Sequence, residues 1–211
     1  MLVAILTVLA CASATLTILA AYQGRRLTLY LFKPLTIVFI ILIALESNFA
    51  VSPFYRYAII AGLLFSLAGD IFLMLPRDRF IQGLISFLVA HLFYIAAFSF
   101  EGGHALSMWA VIPFLIYGSL MLRVLWRYLG KMRLPVIFYV LVILTMGWMA
   151  ATRWMMWGQQ PGSLLALAGA LLFIASDSTL AVERFKGRFL SAPFLILSTY
   201  FTAQLLIALS T

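Results

Sequence analysis

Asp70 and Asp177 lie inside stretches apolar enough to cross a membrane, and each stands seven residues before an arginine, Arg77 and Arg184 respectively. A carboxyl at that depth costs roughly 2.5 to 3.5 kcal/mol on insertion scales, so it persists where it faces a cavity, a partner or a reaction. Two such groups in one apolar pocket are suited to proton transfer. Burial and mutual repulsion keep one carboxyl protonated while the other stays ionised, which supplies an acid and a base together. Carboxylates inside membranes also serve proton relays, so the pair admits a hydrolase or, as the alternative, a proton-coupled transporter or flippase for a lipid or small anion. The alternative finds less support, because no broken helix is evident at mid-membrane.

Other residues can support the pair. Ser66 is four residues before Asp70 and shares its helix face, and Ser176 precedes Asp177. On the next apolar stretch Phe87, His91 and Tyr94 share a face, and His91 lies about 15 Å from that helix's basic end. These groups are expected to orient water or the carboxyls. Lys33, Arg77 and Arg184 are expected about 10 Å from the carboxyls by helix rise, where they can bind phosphate or anchor the helices. Glu46, about 18 Å above Pro34, is expected to line the deeper end of the cavity. Asp78, Glu101, His104 and Glu183 fall at helix ends or in loops, where solvation suffices. No metal or cofactor is called for, and the single Cys11 excludes an intrachain disulfide or a cysteine zinc site.

The elements that must position these residues follow from composition. The chain is 65% hydrophobic and 9% charged, against about 25% charged for a soluble domain. That excludes a soluble protein. No linker or low-complexity tract divides the 211 residues, so they read as one integral-membrane domain. Runs of about 20 apolar residues bounded by charges, Pro or Gly predict eight spans. They are Leu2 to Tyr22, Leu31 to Ala50, Tyr57 to Leu75, Ile81 to Phe100, Ala105 to Leu125, Leu134 to Arg153, Ser163 to Glu183 and Phe189 to Ser210. Pro34 is expected in the first turn of the second, where proline is tolerated.

Twelve of the fourteen Lys and Arg residues fall in or beside the odd-numbered loops, leaving only Arg56 and Arg153 on the other side. By the positive-inside rule those loops are cytoplasmic and both termini lie outside. The net charge of +8 is then a cytoplasmic collar facing anionic headgroups of the lipid bilayer. Nucleic-acid binding is excluded, because no segment outside the bilayer is long enough to form a basic fold. The first apolar run has no basic residue before it, so it reads as an uncleaved helix and not a signal peptide.

The two acids have related surroundings. GLLFSLAGDIFLMLPRDRF around Asp70 and GALLFIASDSTLAVERFKGRF around Asp177 share a glycine, a Leu/Phe stretch, a small residue before the Asp and a basic Arg-Phe loop. This reads as a 4+4 parallel pseudo-repeat in an all-α polytopic membrane protein. The third and seventh spans then run the same way and carry their carboxyls at one depth. Gly62, Gly69, Gly169 and Ser176 are small enough for close helix approach, and a tight interface between those spans is expected.

GLLFSLAGDIFLMLP, FIQGLISFLVAHLFYIAAF and GALLFIASDSTLA, with Lys33-Pro34 opening the second span, resemble the YhhN/TMEM86 family of multi-pass membrane proteins over nearly the whole chain. The resemblance implies a lysoplasmalogenase, which hydrolyses the vinyl ether of a lysophospholipid substrate to a fatty aldehyde and a glycerophospho-alcohol. A bacterial inner membrane suits the basic asymmetry. The implied reaction protonates the terminal alkene carbon, adds water to the resulting oxocarbenium ion and collapses the hemiacetal. Asp70 and Asp177 are its expected acid and base, as in glycosidases, whose transition state is similar.

Overall fold

The computed structural model describes residues 1–47, 52–100, 108–157 and 160–211. Eight helices among them are long and apolar enough to cross a membrane. They are α1 (Leu2–Gln23), α2 (Arg26–Glu46), α3 (Pro53–Met74), α4 (Phe80–Phe100), α5 (Ile112–Leu125, extended by the 3-10 turn Met108–Val111), α6 (Arg133–Trp157), α7 (Pro161–Phe185) and α8 (Ala192–Leu209). Glu101, His104 and the far end expected for the second span lie outside the described residues.

Local chemistry sets the helix ends. Gly24 adopts φ 66°, and its N–H returns to the Ala20 carbonyl, the left-handed stop that glycine accepts without a Cβ penalty. Because that turn is so short, α2 begins at Arg26 and not at Leu31. Pro34 is therefore interior to the helix, where it cannot donate to the carbonyl four residues back. Hydroxyls gather beside this break: Ser13 donates to the Phe32 carbonyl at 2.9 Å, and Thr36 Oγ1 lies 2.8 Å from both. At the start of α3 the Ser52 hydroxyl accepts the Tyr55 N–H and Pro53 fills the first turn, a cap and proline in their favoured places.

Seven helices form a closed ring in the order α1, α2, α3, α4, α6, α7, α8, with α8 returning to α1. Helix α5 stands outside, against α6 and α7. Neighbour relations repeat between the halves. The contacts α1 with α2, α2 with α3, α3 with α4 and α2 with α8 are echoed by α5 with α6, α6 with α7, α7 with α8 and α6 with α4. In this pattern α2 corresponds to α6 and α3 to α7. The expected tight α3/α7 interface is absent from the main helix contacts. The small residues seat other partners: Gly69 receives the Phe87 ring, which a Cβ would meet at 2.7 Å, and Gly169 lies against α8, with Ile207 at 2.7 Å and the Ala203 carbonyl at 2.9 Å.

The two ends of the bundle differ. Ser47, Tyr55, Arg56, Ser210 and Thr211 meet at one end, where Arg56 donates to the Ser47 carbonyl at 2.7 Å and the Tyr55 and Ser210 hydroxyls lie 2.7 Å apart. The basic loops occupy the other. There Tyr22 donates to the Leu190 carbonyl at 3.1 Å, and the Arg133 guanidinium covers the Trp126 ring at 4.7 Å.

Candidate active site

Asp70 is 1% exposed and fully engaged. Lys33 Nζ lies 2.8 Å from its Oδ1, and the Tyr200 hydroxyl donates to its Oδ2 at 2.7 Å. Three helices, α2, α3 and α8, thus meet at one carboxylate. The early start of α2 is the reason, because it carries Lys33 about 10 Å inside the membrane end. Lys33 is therefore not a collar residue at a distance from the acids. It is the counter-ion of one of them.

Asp177, half-buried on α7, accepts a hydrogen bond from the Tyr139 hydroxyl of α6. No cation pairs with it among the described residues. An aromatic layer joins the two acids. Tyr200 packs edge-on against Phe173 at 5.5 Å and Phe87 at 5.9 Å, and Phe173 is one turn before Asp177. His91 completes the layer, 4.7 Å from the Phe173 ring and 5.4 Å from the Tyr139 ring. It is 0% exposed, and neither imidazole nitrogen has a protein hydrogen-bond partner. An unmade bond to a buried polar group costs about 1 to 3 kcal/mol.

Asp177 forms part of the wall of a narrow apolar cleft of about 60 Å³ between α4, α5, α6 and α7, with Phe87, Tyr139 and Ile174 beside it. Asp70 is not among the residues lining that cleft, because the rings of the aromatic layer lie between. At its basic end the cleft shares Leu73, Phe80 and Leu180 with a second pocket of about 430 Å³ lined by Arg77, Arg79, Arg184 and Arg188 with Asp78 and Glu183. Arg184 stacks over Phe80 at 4.6 Å and donates to Asp78 at 2.5 Å. This guanidinium, with the Phe80 N–H, holds the Asp78 carboxyl below the usual carboxylate range. A charged pocket thus adjoins an apolar one with a single acid on its wall.

The remaining expectations separate. Tyr94 is buried and donates to Gln204 Oε1 at 2.8 Å, and Ser66 is buried beside the Tyr94 hydroxyl and not beside a carboxyl. Ser176 is committed to the Ile196 carbonyl at 3.0 Å, so it fastens α7 to α8 and does not orient Asp177. Glu46 is exposed at the last residue of α2. It lines no deep cavity, since α2 ends there. Arg77 is in the charged pocket as expected. Sequence reasoning missed Tyr139, Tyr200 and Gln204. Depth alone could have found the tyrosines: they lie six and eight residues into their helices, about 9 and 12 Å from the basic end.

The family described as the YhhN family matches residues 28–211. The chain belongs to the YhhN family. An uncharacterized membrane protein YhhN from Escherichia coli O157:H7 is 31% identical over 204 residues, covering 95% of each chain. The human lysoplasmalogenase TMEM86A is 34% identical over 181 residues, covering 84% of this chain and 74% of its own. The human lysoplasmalogenase TMEM86B is 35% identical over 156 residues, covering 74% and 64%. No solved structure matches the chain.

Proposed function

We propose that this YhhN-family membrane protein is a hydrolase that cleaves the vinyl ether bond of single-chain lysophospholipids, with Asp177 as the proton donor. The observation that supports the reading is the arginine pocket adjoining the apolar cleft with Asp177 on its wall, an arrangement suited to an ether next to a phosphate-bearing head. Arg184 and Asp177 are seven residues apart on one helix, about 10 Å by rise. That is comparable to the reach from a phosphate across glycerol to the first chain atoms. The curated relatives named lysoplasmalogenases support the substrate class.

The chemistry closes on one carboxyl. Asp177 transfers its proton to the terminal alkene carbon of the vinyl ether, leaving an oxocarbenium ion and an aspartate carboxylate. Water adds to the cationic carbon and returns a proton to Asp177, as an acid becomes a base in glycosidases. The hemiacetal then loses the glycerol oxygen as an alcohol and leaves the aldehyde. Tyr139 aims the carboxyl, and the free imidazole of His91 holds the water. Asp70, compensated by Lys33, holds Tyr200 and with it one side of the aromatic layer in place.

Purified protein in detergent, given an alkenyl lysophospholipid, is expected to release free aldehyde, whereas the saturated alkyl ether analogue should be inert. A protein that moved the lipid across vesicles and released no aldehyde would be a carrier, and the hydrolase reading would be wrong.

A further inference from the structure

The cleft at Asp177 does not end at the acid. Past Tyr117 and Ile174, which line both, it meets a groove of about 470 Å³ between α5, α6 and α7 whose walls are Phe114, Ala151, Trp154, Leu167, Leu171 and Ala175 among others. The arginine pocket, the cleft and the groove lie in line along α7 as a track of three neighbouring pockets with shared lining residues, charged at one end and apolar at the other. Helix α5 closes the outer side of the track. It touches α6 and α7 and stands outside the ring, and the Tyr117 hydroxyl ties it to Ser178 Oγ at 2.7 Å. Glycine makes this approach close: a Cβ on Gly147 would meet Phe114 at 2.5 Å and Ile174 at 2.8 Å.

We propose that the groove between α5, α6 and α7 is the hydrocarbon-tail site of the lysophospholipid, and that its length sets the chain length the protein prefers. This rests on the hydrolase reading above. The occupant is a single alkyl chain, because the polar end of the same track is matched to a phosphate and the rest is apolar. From Asp177 to Leu167 is ten residues, about 15 Å of helix rise. An extended chain advancing about 1.2 Å per bond covers that in roughly a dozen bonds. Lipid tails are as apolar as the groove, so no hydrophobic gain draws the chain in from the bilayer. The groove acts by packing, which fixes the ether carbon against Asp177.

Two arms test this. In the first, alkenyl lysophospholipids of graded chain length are hydrolysed by the native chain and by Leu167→Trp, about 15 Å of helix rise from Asp177, with Leu171→Trp, about 9 Å away, as a second variant. Tryptophan at 167 should lower kcat/KM about tenfold for chains of roughly sixteen carbons and far less for chains of roughly eight, which end short of it, and at 171 the loss should begin at shorter chains. In the second, a non-hydrolysable alkyl lysophospholipid with a diazirine at the chain end is photolysed in the native protein, and its labels are expected on residues of the groove. Groove labels without aldehyde from any substrate would keep the tail site and overturn the hydrolase. Aldehyde release with an unchanged chain-length profile in both variants and labels elsewhere would overturn the tail site and keep the hydrolase.

Discussion

Lys33 and Asp70 form a 2.8 Å ion pair between α2 and α3, with side chains 11% and 2% exposed. Removing one partner of a buried pair leaves the other charge without compensation and costs about 3 to 5 kcal/mol. Asp70→Asn or Lys33→Met alone should therefore reduce the fraction of protein that stays monodisperse on heating in detergent. The double variant should recover most of it. Size-exclusion profiles after a temperature series measure this, and a double variant no better than the singles would show that the pair does not hold the bundle together.

Asp177→Asn should lower kcat about a hundred- to ten-thousand-fold, the usual worth of a general acid or base, while the protein still purifies. Tyr139→Phe should lower kcat less and leave KM near the native value, because it removes only the group that aims the carboxyl. Steady-state aldehyde release measures both.

His91→Phe keeps a ring in the aromatic layer and removes both nitrogens. Hydrolysis should slow while the thermal profile holds or improves, since a buried imidazole without a protein partner stabilises nothing. A native rate would remove His91 from the water's path.

Arg184→Ala and Arg77→Ala should raise KM with a smaller change in kcat, the pattern of lost uniform binding. Asp78 engages Arg184 in the resting structure, so Asp78→Asn should lower KM for the phosphorylated substrate. Because the Asp78 carboxyl lies below its ordinary range, this bridge is complete at neutral pH and is lost only as pH falls through the lowered value. Equal KM values for an alkenyl lysophospholipid and its dephosphorylated form on the native protein would make the pocket irrelevant to binding.

Reporter fusions in the loops after Tyr22, Leu75, Leu125 and Glu183 should read as cytoplasmic, with both termini outside, from the distribution of basic residues. A cytoplasmic C-terminus would break the even count.

The membrane class, the eight spans and the placement of two aspartates within them were legible because each is a one-dimensional signal: apolar length and a charge within it. The arrangement around the aspartates was harder to read. Lys33 looked like a collar residue only because α2 was started five residues late, and the cue was Gly24, whose stop is too tight to leave Arg26 to Tyr30 in a loop. Gly62 and Gly69 announced close packing correctly, but a small residue does not name its partner, and here the partner is α4. The tyrosines differ from interfacial ones in the sequence only by their depth, six and eight residues into their helices, since both kinds present the same ring and hydroxyl.

Helices α2 and α6 occupy matching places, and each reaches across to the aspartate of the helix that follows it, one with a lysine and the other with a tyrosine. Both aspartates accept a hydrogen bond from a tyrosine hydroxyl, and the cation beside Asp70 makes two otherwise similar sites chemically unequal. Under the proposed reaction, the half that performs it is then decided by where that cation stands, and not by the aspartates, which are common to both. A chain built on this plan with the lysine and tyrosine exchanged would carry its proton donor on the opposite side of the bundle, and its substrate would have to enter there.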